Sequence, residues 1–378
     1  MIDSVHVKNF KSLRDMTVST RKLTVLTGMN CSGKSSFIQS LLLAKRFFSR
    51  WQADGSIELN EGELSLGTQR DVFNVDADAG SENLSVVFNE QDAENRVSLA
   101  FPVDPARLDY RQLTGSAQCG DESFARFLGK IKYVSADRQA PQSSHIYSAA
   151  SVDSKEIGAR GENAAAILCR YRESGAPEDQ VIEALWHDGT TDGNIGRQVD
   201  AWMKEFARGA YVLTEKRDAT SVDLKFSFGQ GVSGHAYRPE NVGFGVSAIL
   251  PLVVLVLTAR PGDCLIIENP ETHLHPRGQA EYGRLLALAA HANIQIFLET
   301  HSDHIINGIR VAVKDHKVDS EEVRLAFFER CVQDPGDTGD AQVQYSCVDE
   351  LEILEDGELD RYPKGLLDEW TDQLSKLL

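Results

Sequence analysis

Residues 28–36, "GMNCSGKSS", constrain this chain more than any other stretch, because they satisfy G-x-x-x-x-G-K-[ST] directly behind the apolar run "LTVLT". Glycine at 28 and 33 lets backbone N–H groups curl around a β-phosphate, and a helix starting at the loop adds its positive N-terminal end. Lys34 is placed to reach the β- and γ-phosphates, and the Ser35 hydroxyl to ligate Mg²⁺. A glycine-rich turn ahead of any helix would share the glycines. It would not need the strand before the loop, nor the stripe of Phe37, Leu41, Leu42 and Phe47 after it. The spacing predicts a strand–loop–helix unit that holds ATP and Mg²⁺.

Such a loop needs a sheet behind it. "SVHVKNF" alternates ahead of it, "NLSVVFNE" and "NRVSLAFPV" read as a strand pair, and "KIKYVSADR" as another strand. Residues 51–82 are rich in Gly and Asp and irregular. From about 155 to 208 the pattern is helical, in "NAAAILCRYRES", "EDQVIEALWHD" and "NIGRQVDAWMKEFARG". "AYVLTEK" and "VDLKFSFG" return to β character. After 240 an apolar helix, "CLIIE", "RGQAEYGRLLALAAHA", "IQIFLE" and "DHIINGIRVAVKDH" alternate helix and strand. That order predicts an α/β fold, a mixed sheet flanked by helices, with phosphate chemistry at strand C-termini. "RCVQDPGDTGDAQVQYSCVDE" reads as strand, turn-rich loop and strand, with a last helix at 366–378. There is no internal repeat, heptad run or low-complexity segment.

Two further segments carry acidic groups and histidines. In "DCLIIENPETHLHP", 263–276, four apolar residues end at Glu268, where a phosphate-loop fold needs a carboxylate facing the metal. Alone, "ENPE" also reads as a turn closing a strand. In "IQIFLETHSDHIINGIR" the strand is expected to end at His301. Zinc competes here, through His273 with His275, or His301 with His304 and Glu299. Neither set has H-E-x-x-H spacing with a third ligand. "NVGFGVS" reads by itself as a loop and the N-cap of a core helix. As a dinucleotide fingerprint it is weak, since Ser247 and Ala248 break the glycine spacing.

Together these motifs resemble the ATP-binding-cassette class of ATPases that includes SMC, RecF and the overcoming-lysogenization-defect nucleases. "VKNFKSLRD" is similar to that class's opening strand, "GMNCSGKSS" to its phosphate loop and "NVGFGVSAILPL" to its signature segment. "LIIENPETHLHP" is similar to its Walker B and D-loop, and "ETHSDHIINGIR" to its switch histidine. "VSADRQAP" and "EDGELDRYPKGLLDEW" resemble compact prokaryotic members that end in a small domain of uncharacterised function. The resemblance implies a head in two parts, 1–138 and 211–320, with a compact helical insert at 139–210 serving as a docking lobe and an α/β extension at 321–378. It implies that Gly28, Asn30, Cys31, Ser32, Gly33, Lys34, Ser35 and Ser36 line the nucleotide. Glu268 would take the Walker B position and hold Mg²⁺ with Ser35, and His301 would sense the γ-phosphate. Gly245 and Ser247, the latter with its hydroxyl aimed outward, would face nucleotide bound to the other subunit of a homodimer or higher oligomer.

The chain departs from the class at one place. Asp then Glu is usual, one for Mg²⁺ and one to polarise the attacking water, whereas here the pair is Glu268–Asn269. Asparagine can orient a water but cannot take up its proton. Phosphoryl transfer leans mainly on positioning and charge stabilisation, so hydrolysis is expected to be slow, with Glu271 or His301 compensating. Many such ATPases are implicated in anti-phage defence beside a separate nuclease, which implies a nuclease or effector partner. The stretch after His301 is shorter than the nuclease domain that overcoming-lysogenization-defect proteins append.

A formal charge of −18, from 39 basic and 57 acidic residues, argues against a surface that coats nucleic acid throughout, and leaves room for a local basic cleft. Six scattered cysteines without a CxxC pair read as reduced cytosolic thiols, not as a disulfide frame or zinc site. The longest apolar run, 248–259, is too short to cross a bilayer and holds a proline, and no signal peptide precedes the first strand. The expectation is a cytoplasmic protein with no membrane partner. Three readings follow: an ATP-gated core of a larger assembly, a DNA-repair or DNA-clamping ATPase, and a non-hydrolysing ATP sensor.

Overall fold

The phosphate-loop strand of the computed structural model lies within the first of two units, and residues 1–50, 55–77, 83–90, 96–172, 174–229, 234–333 and 343–377 are described. Met1–Ile131, Arg324–Glu352 and Leu359–Leu378 form one unit; Lys132–Val323 and Ile353–Glu358 form the other. The first begins with β1 (Ser4–Phe10) and β2 (Leu13–Ser19), an antiparallel hairpin whose alternation buries Val5, Val7 and Val18. β3 (Leu23–Gly28) leads through the loop into α1 (Lys34–Ser49). The expected stripe is there: Phe37, Leu41, Leu42 and Phe47 are all buried. β4 (Ser56–Glu58) and α2 (Gln69–Val72) follow, then β5 (Asn83–Asn89) and β6 (Arg96–Pro102), which pair antiparallel as their alternation predicts. β7 (Gln112–Thr114) pairs β4, β8 (Ser116–Cys119) pairs β6, and α3 (Glu122–Leu128) closes the stretch. The sheet order is β2-β1-β5-β6-β8.

The second unit opens with β9 (Lys132–Val134), β10 (Ser144–Ile146), α4 (Ala149–Asp153), α5 (Ala164–Tyr171) and α6 (Ile195–Phe206). β11 (Ala210–Lys216), β12 (Ser221–Phe228) and β13 (Ala236–Tyr237) join β10 in one antiparallel sheet. "EDQVIEALWHD" is not the expected α-helix but two short 3-10 turns, Pro177–Asp179 and Glu183–Leu185. Indole N–H groups of Trp186 and Trp202 take the carbonyls of Val181 and Leu185, at 2.8 and 3.0 Å, that a helix would use for itself.

α7 (Phe244–Thr258) is apolar on every side and buried beyond its first turn. β14 (Cys264–Glu268), α8 (Pro276–His291), β15 (Gln295–Glu299) and α9 (Asp303–Lys314) complete the alternation. β14 runs parallel to β9 and β15, and strands covered on both faces explain the unbroken apolar runs of "CLIIE" and "QIFLE". α8 and α9 approach to backbone contact. A Cβ on Gly283 would lie 2.3 Å from the Ile305 carbonyl, and one on Gly308 2.1 Å from that of Ala280. This contact seats the start of α9 beside the end of β15.

The chain returns to the first unit with β16 (Val323–Gln333) and β17 (Val343–Glu352), antiparallel in the order β17-β16-β3, and ends in α10 (Glu369–Leu377). The strand pair was expected; its turn-rich connection, 334–342, lies outside the described residues. The last helix starts three residues later than 366, because Leu366 closes a turn onto Pro363 and Leu367 is left-handed with φ 61°. The cysteine expectation needs correction. Cys331 and Cys347 form a disulfide across β16 and β17, while Cys31, Cys119, Cys169 and Cys264 form no disulfide. The antiparallel register, invisible in sequence spacing, puts Cys331 opposite Tyr345 and Cys347 opposite Glu329, on one face. Among the described residues no helix is long and apolar enough to cross a membrane.

Candidate functional site

The phosphate loop is built on two glycines that nothing else could replace. Gly28 has φ 128° and Gly33 φ 111°, both in the region that side chains avoid. A Cβ on Gly28 would lie 2.2 Å from the Phe328 carbonyl oxygen, and one on Gly33 2.3 Å from Ser346 Oγ. Gly33 is also the N-cap of α1. No side chain caps that helix and no acid sits in its first turn, so its positive end is left for an anion. Lys34 folds beneath the loop, its Nζ donating to the carbonyls of Gly28 and Met29 at 2.9 and 2.8 Å. Ser32 is buried and its Oγ has no protein partner. Asn30, Cys31 and Ser35 are exposed and Ser36 is half-buried. The glycine cradle, the uncapped helix start and the hydroxyl of Ser35 suit a nucleoside triphosphate with Mg²⁺.

In the second unit, Asn269, Glu271 and His301 form one hydrogen-bonded set at the ends of two parallel strands, next in sequence to Glu268. β14 delivers Glu268, whose Oε2 accepts the Ala136 N–H at 3.2 Å. Burial pushes the Glu268 carboxyl above the usual range, against the lowering pull of Ala136, the Tyr133 hydroxyl and Arg138. Asn269 is left-handed, φ 41°, and its N–H bonds the Glu299 carbonyl at 2.8 Å. Asn269 Nδ2 reaches Glu271 Oε1 at 3.3 Å. The same carboxylate accepts the Thr300 hydroxyl at 2.8 Å and the His301 N–H at 2.9 Å. β15 therefore ends at Glu299, not His301; the strand stops because Thr300 and His301 turn to bond Glu271. The His301 ring is exposed.

Sequence reasoning missed Arg138. Its guanidinium, 6% exposed, donates to the carbonyls of Glu268 at 3.0 Å and Asn269 at 2.8 Å. Burial lowers its pKa, and the carbonyls compensate as acceptors. Losing this fork would take the guanidinium donor from the Glu268 carbonyl, at about 1–3 kcal/mol, while the Asn269 carbonyl keeps the Thr272 hydroxyl at 2.9 Å. The signal was a lone arginine inside "VSADRQAP", but its acceptors lie some 130 residues away in sequence.

The signature segment corrects one expectation. The N-cap of α7 is Gly243, and Ser247 sits inside the first turns. Its hydroxyl is not aimed outward: Oγ is buried without a partner and faces a cavity lined by Gln139, His145, Arg160 and Pro251. Gly245 packs against the 263–276 segment, where a Cβ would lie 2.3 Å from the His273 carbonyl, and the Phe244 ring lies tilted, 53° between planes, with its centroid 4.3 Å from that of His273. The zinc alternatives find no support in geometry. His275 caps α8, its Nδ1 accepting the Arg277 N–H at 3.3 Å. Among the described residues, His291, Asp319 and Glu322 are the three that could ligate one ion, and none belongs to either proposed set.

A phosphate loop behind one strand and, in the other unit, a carboxylate at the end of a strand followed by helices are features that P-loop ATPases share. The chain belongs to the AAA ATPase domain family, which it matches over residues 1–102 and 189–306. Residues 318–377 match a second family described as protein of unknown function (DUF3696). The chain is 23% identical over 330 residues to the OLD nuclease of Thermus scotoductus, covering 80% of this chain and 59% of that protein. It thus spans under two thirds of that relative's length. In fold it is similar to an SMC head bound to the C-winged helix domain of ScpA, with 13% identity, TM-score 0.52 and coverage of 93% and 98%. A Pyrococcus furiosus SMC head with an extended coiled coil, bound to the C-terminal domain of ScpA, matches at 14% identity and TM-score 0.52, covering 100% and 99%.

Proposed function

We propose that this chain binds ATP with Mg²⁺ on residues 28–36, hydrolyses it slowly, and dimerises around it as the gate of a larger assembly. The observation that carries the reading is the loop itself: Lys34 held under the carbonyls of Gly28 and Met29, with an uncapped helix start above it. Asn30, Cys31, Ser32, Gly33, Lys34, Ser35 and Ser36 would hold the phosphates, and Ser35 with Glu268 the metal. Bound Mg²⁺ supplies charge neutralisation at the phosphates.

Slow turnover is supported by the carboxylate inventory. Glu268 is the carboxylate at the strand end, Asn269 offers none, and Glu271 already holds three donors. Glu271 therefore positions the two turns, and His301 is left as the exposed group able to meet a γ-phosphate. Gly245 and Ser247 would complete a partner subunit's site once the Ser247 side chain turns out of its cavity.

Likeness to an OLD nuclease supports a nuclease-linked role, and the compact 139–210 segment is the proposed docking lobe for a separate nuclease or effector. An anti-phage defence assembly is the setting this reading favours. Light scattering with and without a slowly hydrolysed ATP analogue, with phosphate release followed in the same sample, tests it. A nucleotide-dependent dimer with slow release is expected. A monomer throughout removes the composite site, and binding without release makes the chain an ATP sensor. Salt-dependent DNA binding by the isolated chain would favour a DNA-clamping ATPase.

A further inference from the structure

Ser346 on β17 meets the phosphate loop directly. It is 2% exposed, its Oγ occupies the space a Cβ on Gly33 would need, and that Oγ donates to Ser12 Oγ at 2.7 Å. Its N–H bonds the Ser12 carbonyl at 2.9 Å. The next residue, Cys347, points to the opposite face of β17 and is bonded to Cys331 on β16. The bridge ties the two strands diagonally and fixes their register where β17 touches the loop. Both cysteines are half-buried, within reach of small thiols.

We infer that Cys331 and Cys347 form a redox-responsive clamp on the phosphate loop. The oxidised pair holds Ser346 against Gly33 and Ser12, and reduction loosens this part of the strand pair and weakens nucleotide binding. The inference rests on the reading that the loop binds ATP. Closure uses a low-molecular-weight disulfide such as oxidised glutathione. One cysteine thiolate attacks a glutathione sulfur and expels one glutathione thiolate; the second cysteine then displaces the other glutathione from the mixed disulfide. Two protein thiols are oxidised, one glutathione disulfide is reduced to two thiols, and the two cysteine protons pass to solvent or to the departing thiolates. Linkage makes the coupling reciprocal, so the factor by which closure tightens nucleotide is the factor by which nucleotide protects the bridge from reduction.

The test equilibrates the full chain in glutathione redox buffers with and without a slowly hydrolysed ATP analogue. Alkylation and peptide mass give the bridged fraction, and calorimetry gives the analogue's Kd in both states. The oxidised chain should bind about fivefold more tightly or better, and the analogue should displace the reduction equilibrium by the same factor. A Cys331→Ser, Cys347→Ser variant should bind like the reduced parent and ignore the buffer. Equal affinity in both states of a chain that binds the analogue overturns the clamp, as does a bridge that forms in no buffer. A redox response kept by the double variant would also overturn it and point to Cys31 in the loop. A chain that binds no analogue in either state overturns the ATP reading, and the clamp with it.

Discussion

The Glu271 carboxylate accepts the backbone N–H of His301 at 2.9 Å, joining the turn after β14 to the turn after β15. Thr300 and Asn269 donate to the same group, so both turns share one anchor. A carboxylate that already holds three donors is a brace between turns.

Glu271→Gln should therefore keep the fold and hydrolyse within about fivefold of the parent, because its amide oxygen still accepts the His301 N–H. Glu271→Ala should lower stability by about 2–3 kcal/mol, as hydrogen bonds to a charged group are lost. Denaturation midpoints and phosphate release measure both. A folded Glu271→Gln that loses about 10²–10⁴ in rate would make Glu271 the general base instead.

Burial at the end of β14 sets the pH dependence of Glu268's contribution to stability. Its carboxyl is raised by burial, so the folded chain holds this proton more tightly than the unfolded one. The stability owed to this group is full below the unfolded value of ~4.3 and falls as pH rises through the folded value. Ionised Glu268 is thus a cost at pH 7. Glu268→Gln should raise the denaturation midpoint at pH 7, lose that advantage in acid, and cut hydrolysis by about a hundredfold or more. A variant less stable than its parent at pH 7 would contradict this.

Asn269 is left-handed, φ 41°, where asparagine and aspartate are tolerated better than longer side chains. Asn269→Asp should raise steady-state hydrolysis about tenfold, since ~1.4 kcal/mol off the barrier suffices. Asn269→Glu should move in the same direction but lose about 1–2 kcal/mol of stability from the strained backbone. If both fold, bind ATP and turn over more slowly, asparagine itself is the working residue.

What the sequence disclosed was local. "LTVLTGMNCSGKSSF" carries its strand, its two left-handed glycines and its helix in consecutive residues, and all three stand where expected. "CLIIE" ends at Glu268 because a strand covered on both faces must be apolar until it meets the site. What stayed hidden depends on register and on partners far along the chain. Cys331 meets Cys347 only through strand pairing. Arg138 finds its carbonyls only once β9 lies beside β14. Ser247 resembles an outward signature serine by position, yet the first turns of α7 roll its hydroxyl into a cavity. "EDQVIEALWHD" has helical spacing, but two tryptophan N–H groups capture the carbonyls a helix would need.

Lys34 is the cation built into the phosphate loop, its Nζ resting on the Gly28 and Met29 carbonyls. Calorimetric titration of the parent and of Lys34→Ala with a slowly hydrolysed ATP analogue and Mg²⁺ is the most direct measurement. Saturable binding by the parent should fall by roughly 2–5 kcal/mol in the variant, as truncating one side of a close charge pair does, with circular dichroism unchanged. Equal affinity in a folded Lys34→Ala would contradict the account.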